Sequence, residues 1–220
     1  MKNLIIRLCV LFVVAGLSVI TVIGQDGAQI VNEPKGKIDL NDYPQIKEFL
    51  YQDENRFGSI DKLAPPETAQ FGQLSGIWEA ENRALFQGKW YCCWRALWGF
   101  KYTIDGFGVQ DYYLQLERDL PPTVPKKGKN STLTQLRVFL PKEKKWKVAW
   151  ISNATAYGTF DAVEKEGELI MTPPPVKGRP LRRIIFYDIK KDSFLWRREI
   201  SEDKGKTWET RFFIKATRIL

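Results

Sequence analysis

Histidine is absent from all 220 residues, and that gap removes more chemistry than any other feature of the composition. Ser-His-Asp and Cys-His nucleophilic devices cannot be assembled without it. His-ligated haem and the common metal triads are excluded for the same reason. Any proton transfer must come from Asp, Glu, Tyr, Lys or Cys. Cysteine is nearly as scarce. Cys9 lies in an N-terminal apolar run, and only the neighbours Cys92 and Cys93 lie beyond it. Adjacent side chains of an extended strand point to opposite faces, so two separate strand cysteines are expected and no disulfide framework. No CxxC spacing occurs, no metal site is expected, and nothing points to a cofactor. Internal repeats of fixed length are also lacking.

The one long apolar run stretches from Leu8 to Ile23, after Lys2 and Arg7, and ends at Gly24 before the polar Gln25-Asp26. A basic start, an apolar centre and a small residue at the break read as a secretory signal cleaved after Gly24. The run is short for a span of about 20 residues, and Gly16, Ser18 and Thr21 interrupt it. A secreted or periplasmic location follows, with membrane contact only through this segment. Its loss lowers the formal charge by two, from +8 to +6. The remaining basicity is spread along the chain. Its densest runs, Lys126-Lys127-Gly128-Lys129 and Lys142 to Lys147, fall where turns are expected, so no nucleic-acid partner is expected.

What is present in quantity is aromatic area. Eight Trp and an aromatic fraction of 13% suit a sheet protein, whose pleated faces accommodate large flat side chains. Residues 25–73 read as a polar leader followed by short helical pieces. Asn41-Asp42-Tyr43-Pro44 starts one, with Pro in the first turn, and Pro65-Pro66-Glu67-Thr68 opens another. From Gly76 the apolar period changes to two. Strand-like segments follow over 90–104, 109–118, 133–140, 145–152, 157–165, 168–172, 181–189, 193–201 and 207–218. Most are separated by a few residues carrying Gly, Pro, Asp or Asn. About ten short strands with such punctuation favour an up-and-down antiparallel barrel over a Greek-key sandwich. The longer stretch 119–131, with Pro121, Pro122 and Pro125, is expected as a loop at the open mouth.

Several pieces of this region occur together in order. They are Leu74-Ser75-Gly76-Ile77-Trp78-Glu79, the segment from Ile104 to Asp111, Leu136 to Phe139, Trp146 to Trp150, Phe194 to Arg197, and Ser201 to Trp208. Gly76-Ile77-Trp78 resembles the G-x-W signature of lipocalins and their calycin relatives. The whole stretch 74–218 resembles a family of bacterial lipocalin-like domains of unknown function, which sets the barrel domain at 74–220. That resemblance implies an all-β lipocalin-like barrel preceded by a short helical segment, and it transfers no activity. It also implies a structural role for Trp78, packed at the closed end against a cation of the last strand, for which Arg218 is the counterpart.

Parity nominates a ligand site. Trp94, Trp98, Trp150 and Trp196 lie on strand faces that carry large apolar neighbours, and together they would line a cavity. Asp111, Arg137 and Arg198 are charges inside apolar-patterned strands, and Tyr113 shares a face with Asp111. A carboxylate between guanidiniums can clamp a ligand or, with Tyr113, move a proton. The expected function is a secreted lipocalin-like barrel binding a small apolar or amphipathic molecule. Two rivals are a calycin-type isomerase, cyclase or hydratase working through Asp, Tyr and Arg in the cavity, and an interaction module with a filled barrel.

Overall fold

Strand formation begins where the alternation does. The computed structural model describes residues 29–30, 36, 38–50, 57–120 and 128–220. The expected signal segment and the middle of the 119–131 loop lie outside the described residues. Helices α1 (Pro44–Leu50) and α2 (Thr68–Gly72) precede the main sheet, and a two-residue strand β1 (Gln29–Ile30) comes before them. The sheet strands are β2 (Gly76–Phe86), β3 (Lys89–Thr103), β4 (Gly108–Gln115), β5 (Ser131–Leu140) and β6 (Lys145–Ser152). They continue as β7 (Tyr157–Lys165), β8 (Glu168–Thr172), β9 (Leu181–Tyr187), β10 (Ser193–Ser201) and β11 (Glu209–Arg218).

Strands β2 to β11 each pair antiparallel with their sequence neighbours, and β11 returns to β2. The result is a closed ten-stranded up-and-down barrel, to which β1 adds a short parallel pairing on β3. Closure removes the exposed edges that an open sheet of this size would present. Among the described residues no helix is long and apolar enough to cross a membrane.

One end of the barrel is solid. Trp78 is fully buried and donates its indole N–H to the Leu74 carbonyl at 2.7 Å. The Arg218 guanidinium lies 4.0 Å from the centre of the Trp78 ring. It also donates to the carbonyls of Ser75 and Lys191, each at 2.6 Å. Gly76 permits this approach. Its φ is +143°, and a Cβ there would stand 2.1 Å from Arg218 Nη1. Helix α2 plugs the same end. Its Phe71 meets Trp146 edge-on at 4.9 Å and Phe186 at 5.8 Å, while Gln70 accepts the Trp146 indole N–H at 2.9 Å.

A second core lies outside the barrel. Ile77, Leu97 and Leu114 point outward from β2, β3 and β4, and are buried under Ile38, Tyr43 and Ile46. This explains why β3 is buried on both faces from Trp94 to Phe100. The leader is therefore not wholly free of the barrel: its last residues are packed from Ile38 onward. Alternation also fails at one place on β3. The register slips between Asn82 and Arg83, so Trp94 faces Asn82, Cys92 faces Arg83 and Cys93 is left over. That bulge sends Cys92 and Trp90 to the outer side, the reverse of what strict alternation from Trp94 would give, and Cys92 and Cys93 are joined as a disulfide. The strict alternation that kept the two sulfurs apart does not apply within a bulge.

The β10–β11 hairpin is tied by one carboxylate. Asp203 accepts the Thr207 hydroxyl at 2.6 Å, the Thr207 backbone N–H at 2.8 Å and the Ser201 hydroxyl at 2.8 Å. The Thr207 bonds first, then that of Ser201, hold its pKa down to about 2. A lowered carboxylate pKa favours the folded state above the unfolded value, and the contribution is lost as pH falls toward the folded one. Carboxyl NMR should therefore give Asp203 a midpoint of about 2, and an ordinary midpoint of 3.8 would contradict these bonds. At the closed end, Arg218→Ala should cost about 1–2 kcal/mol through lost stacking and packing. Gly76→Ala should cost about 2–3 kcal/mol, because it adds backbone strain to the loss of the same contact. Urea titrations of the two variants and their double would show that they are not additive.

Candidate functional site

Toward the other end the barrel is hollow. A cavity of 670 Å³ opens where β4, β6, β8 and β10 finish and where β5, β7, β9 and β11 begin. Alternation places one side chain in two from each of these strands on its wall. Trp98, Trp150, Phe160, Trp196 and Phe212 supply flat apolar surface. Trp150 lies along β7 because Gly158 has no side chain, and a Cβ there would stand 2.7 Å from its indole nitrogen. Phe160 stacks beside it with ring centres 6.4 Å apart. Tyr157, 83% exposed, and Val176, 48% exposed, form an apolar rim together with Pro173 and Pro174. The 119–131 loop springs from this end, since Gln115 and Leu133 at its roots are both on the wall.

Trp98 forms the floor. It is 2% exposed and meets Phe100, Tyr113, Phe186 and Phe194 at centroid distances of 5.0, 5.2, 5.4 and 5.6 Å. Its indole N–H donates to Asp111 Oδ2 at 3.0 Å. The same oxygen accepts Arg137 Nη2 at 2.7 Å, and the Gln135 backbone N–H donates to Oδ1 at 2.9 Å. Asp111 and Arg137 are both completely buried. Arg137 lies 5.0 Å from the Phe71 ring centre and 5.7 Å from that of Phe100, so aromatic faces cover the guanidinium. Burial pushes the Asp111 carboxyl above its ordinary range, against the opposing pull of Arg137, the Trp98 indole and the Gln135 amide.

The structure divides the nominated residues by depth. Trp98, Tyr113, Trp150, Trp196 and Arg198 are on the cavity wall. Trp94, Asp111 and Arg137 are not. Trp94 is 6% exposed and packs edge-on against Phe212 at 5.7 Å, while the Asp111–Arg137 pair lies behind Trp98 and Gln135. Tyr113 donates its hydroxyl to Asn82 Oδ1 at 2.7 Å, and burial raises its pKa. Among the described residues no carboxylate lines the cavity. Glu81, Cys92 and Cys93 come within metal-ligating distance of one another elsewhere, but the two sulfurs are bonded to each other.

Sequence reasoning missed Arg182, Phe160, Phe212 and Gln135. Arg182 shares parity with Ile184 and Phe186, which would have marked it as inward, but it stands at the start of a strand beside Arg183. The 173–176 segment carried no strand pattern and could not be assigned to the rim before the fold was known.

Removing one partner of the buried pair should be severe. Asp111→Ala should cost about 3–5 kcal/mol by leaving Arg137 buried without its counterion. Asp111→Leu combined with Arg137→Met should recover most of that loss in the same urea titration, and a purely additive pair would contradict the coupling.

No protein-family model matches the chain, and no curated protein matches it. Among solved structures it is similar to the S-type phycobiliprotein lyase CPES from Guillardia theta, with 13% identity and a TM-score of 0.41, over 67% of this chain and 89% of that one. It is also similar to Rv2717c from M. tuberculosis, with 9% identity and a TM-score of 0.43, over 70% of this chain and 98% of that one. The fold assignment rests on the strand pairing itself: a closed ten-stranded up-and-down antiparallel barrel.

Proposed function

We propose that this protein is an exported barrel that binds a small apolar or amphipathic molecule with a flat body. The observation that carries the reading is the 670 Å³ cavity, which the aromatic side chains line and do not fill. Its volume falls within the roughly 300–1,000 Å³ of ordinary small-molecule sites, and its few polar groups among aromatic walls match their chemistry. Trp98, Trp150 and Trp196 would stack on the ligand body. Tyr113, Gln115, Gln135 and Thr159 offer polar contacts at its edges. The catalytic rival loses support because the carboxylate it needs, Asp111, is sealed behind the floor. The filled-barrel rival loses support from the cavity itself. Export is favoured by the N-terminal segment 1–24 and lets the barrel meet its ligand outside the cytoplasm.

The neutral probe N-phenyl-1-naphthylamine tests the reading. It should quench the intrinsic tryptophan emission saturably and gain emission of its own. Ile184→Phe projects extra volume into the cavity and should weaken the probe about tenfold or more, with the melting temperature little changed. Absence of saturable binding, or full binding in a folded Ile184→Phe variant, would sink the proposal.

A further inference from the structure

We infer that the ligand carries an anionic group and that Arg182 and Arg198 receive it at the mouth of the cavity; the inference rests on the binding role proposed above. Arginine occurs as doublets on two paired strands, Arg182-Arg183 on β9 and Arg197-Arg198 on β10. Alternation sends one member of each doublet outward and the other inward. Outside, Arg183 and Arg197 both donate to Glu199, at 2.5 and 2.8 Å. Inside, Arg182 and Arg198 meet no carboxylate among the described residues. Every other arginine on a barrel strand lies within 4.0 Å of one. Among the described residues Arg182 and Arg198 are also the only charged side chains on the cavity wall.

Their placement favours joint action. Arg198 is opposite Ile184, and Arg182 is two residues further along β9. Such diagonal neighbours stand roughly 7–8 Å apart, close enough for one multi-oxygen group to bridge the two flexible side chains. Arg198 is held over the Phe212 ring at 5.5 Å, which covers the guanidinium face and leaves its N–H edge open. Arg198 keeps an exposed side at the mouth, and partial desolvation and then the charge of Arg182 lower its pKa, so the two cations repel each other. An anion between them relieves that repulsion and satisfies both forks. Carboxylate, sulfonate and phosphate oxygens all fit this geometry. The rest of the described lining is uncharged, made of aromatic, aliphatic and neutral polar groups, which suits a flat ring body. The ligand class is thus an amphipathic anion, ring system inward and charged head at the mouth.

A matched pair of probes separates this inference from the binding role itself. N-phenyl-1-naphthylamine and 1-anilinonaphthalene-8-sulfonate share one ring body and differ by the sulfonate. The sulfonate probe should bind at least about tenfold tighter to the full protein at low salt, and only its affinity should fall as salt rises. Arg182→Gln and Arg198→Gln should each weaken it several-fold, and the double variant should bring it to the level of the neutral probe. Neutral-probe binding should not change in any of them. Arg183→Gln removes the same charge from the outer side of the same strand and should leave both probes unaffected. Equal affinities for the two probes would overturn the anion inference and leave the cavity role standing. So would undiminished sulfonate binding in the double variant, or an equal loss in Arg183→Gln. If neither probe binds the native protein, the cavity role fails and the inference falls with it.

Discussion

The bond network around Trp98 sets the layout of the whole barrel. A single indole lies across the interior, fixed on one edge by Asp111 and clasped by four aromatic rings. Asp111 is itself held by Arg137, and Arg137 by the rings of Phe71 and Phe100. Neither charge tolerates burial alone, so each side chain's position depends on the next. Below this layer the space is filled. Above it lies the cavity. Asp111 and Arg137 lie behind this floor and hold it in place.

The asymmetry of the two ends follows from what each strand delivers at each level. Toward the closed end the inward positions carry Trp78, Phe100, Trp146, Phe186 and Phe194, and α2 adds Phe71 from outside the sheet. That much aromatic volume fills a ten-stranded interior without help from a ligand. Toward the open end the wall includes Gly158, Thr159 and Gln115, whose small or flexible side chains leave room between the tryptophans. The packed half gives the barrel its stability without any contribution from the hollow half.

Charge is sorted across the same wall. On β9 and β10, neighbouring arginines share nearly every local property and differ only in the direction of the pleat. The outward pair converges on Glu199, with Arg183 also stacked on Trp208 at 4.1 Å and Arg197 on Tyr187 at 4.2 Å. The inward pair has an aromatic cavity before it and no acid among the described residues. A barrel wall one residue thick therefore separates a self-neutralised surface from an electropositive mouth.

The sequence by itself determined the fold class, because a period of two between turn residues leaves little choice but antiparallel neighbours, and it located Trp78 and Arg218 by parity and resemblance. It also placed Trp98, Trp150, Trp196 and Arg198 on inward faces, since a strand exposes its sidedness in its pattern. Depth along the barrel axis was beyond it. Periodicity tells in from out, but Trp94, Asp111 and Arg137 share the inward face with wall residues and differ only in level and in what covers them. The bulge at Cys93 was hidden for the related reason that one inserted residue inverts parity without leaving a mark in composition. The outer core under Ile38 and Tyr43, the rim at Pro173–Val176 and the missing partners of Arg182 and Arg198 were decided only by tertiary structure. Each depends on segments far apart in the chain meeting in space, which no local pattern encodes.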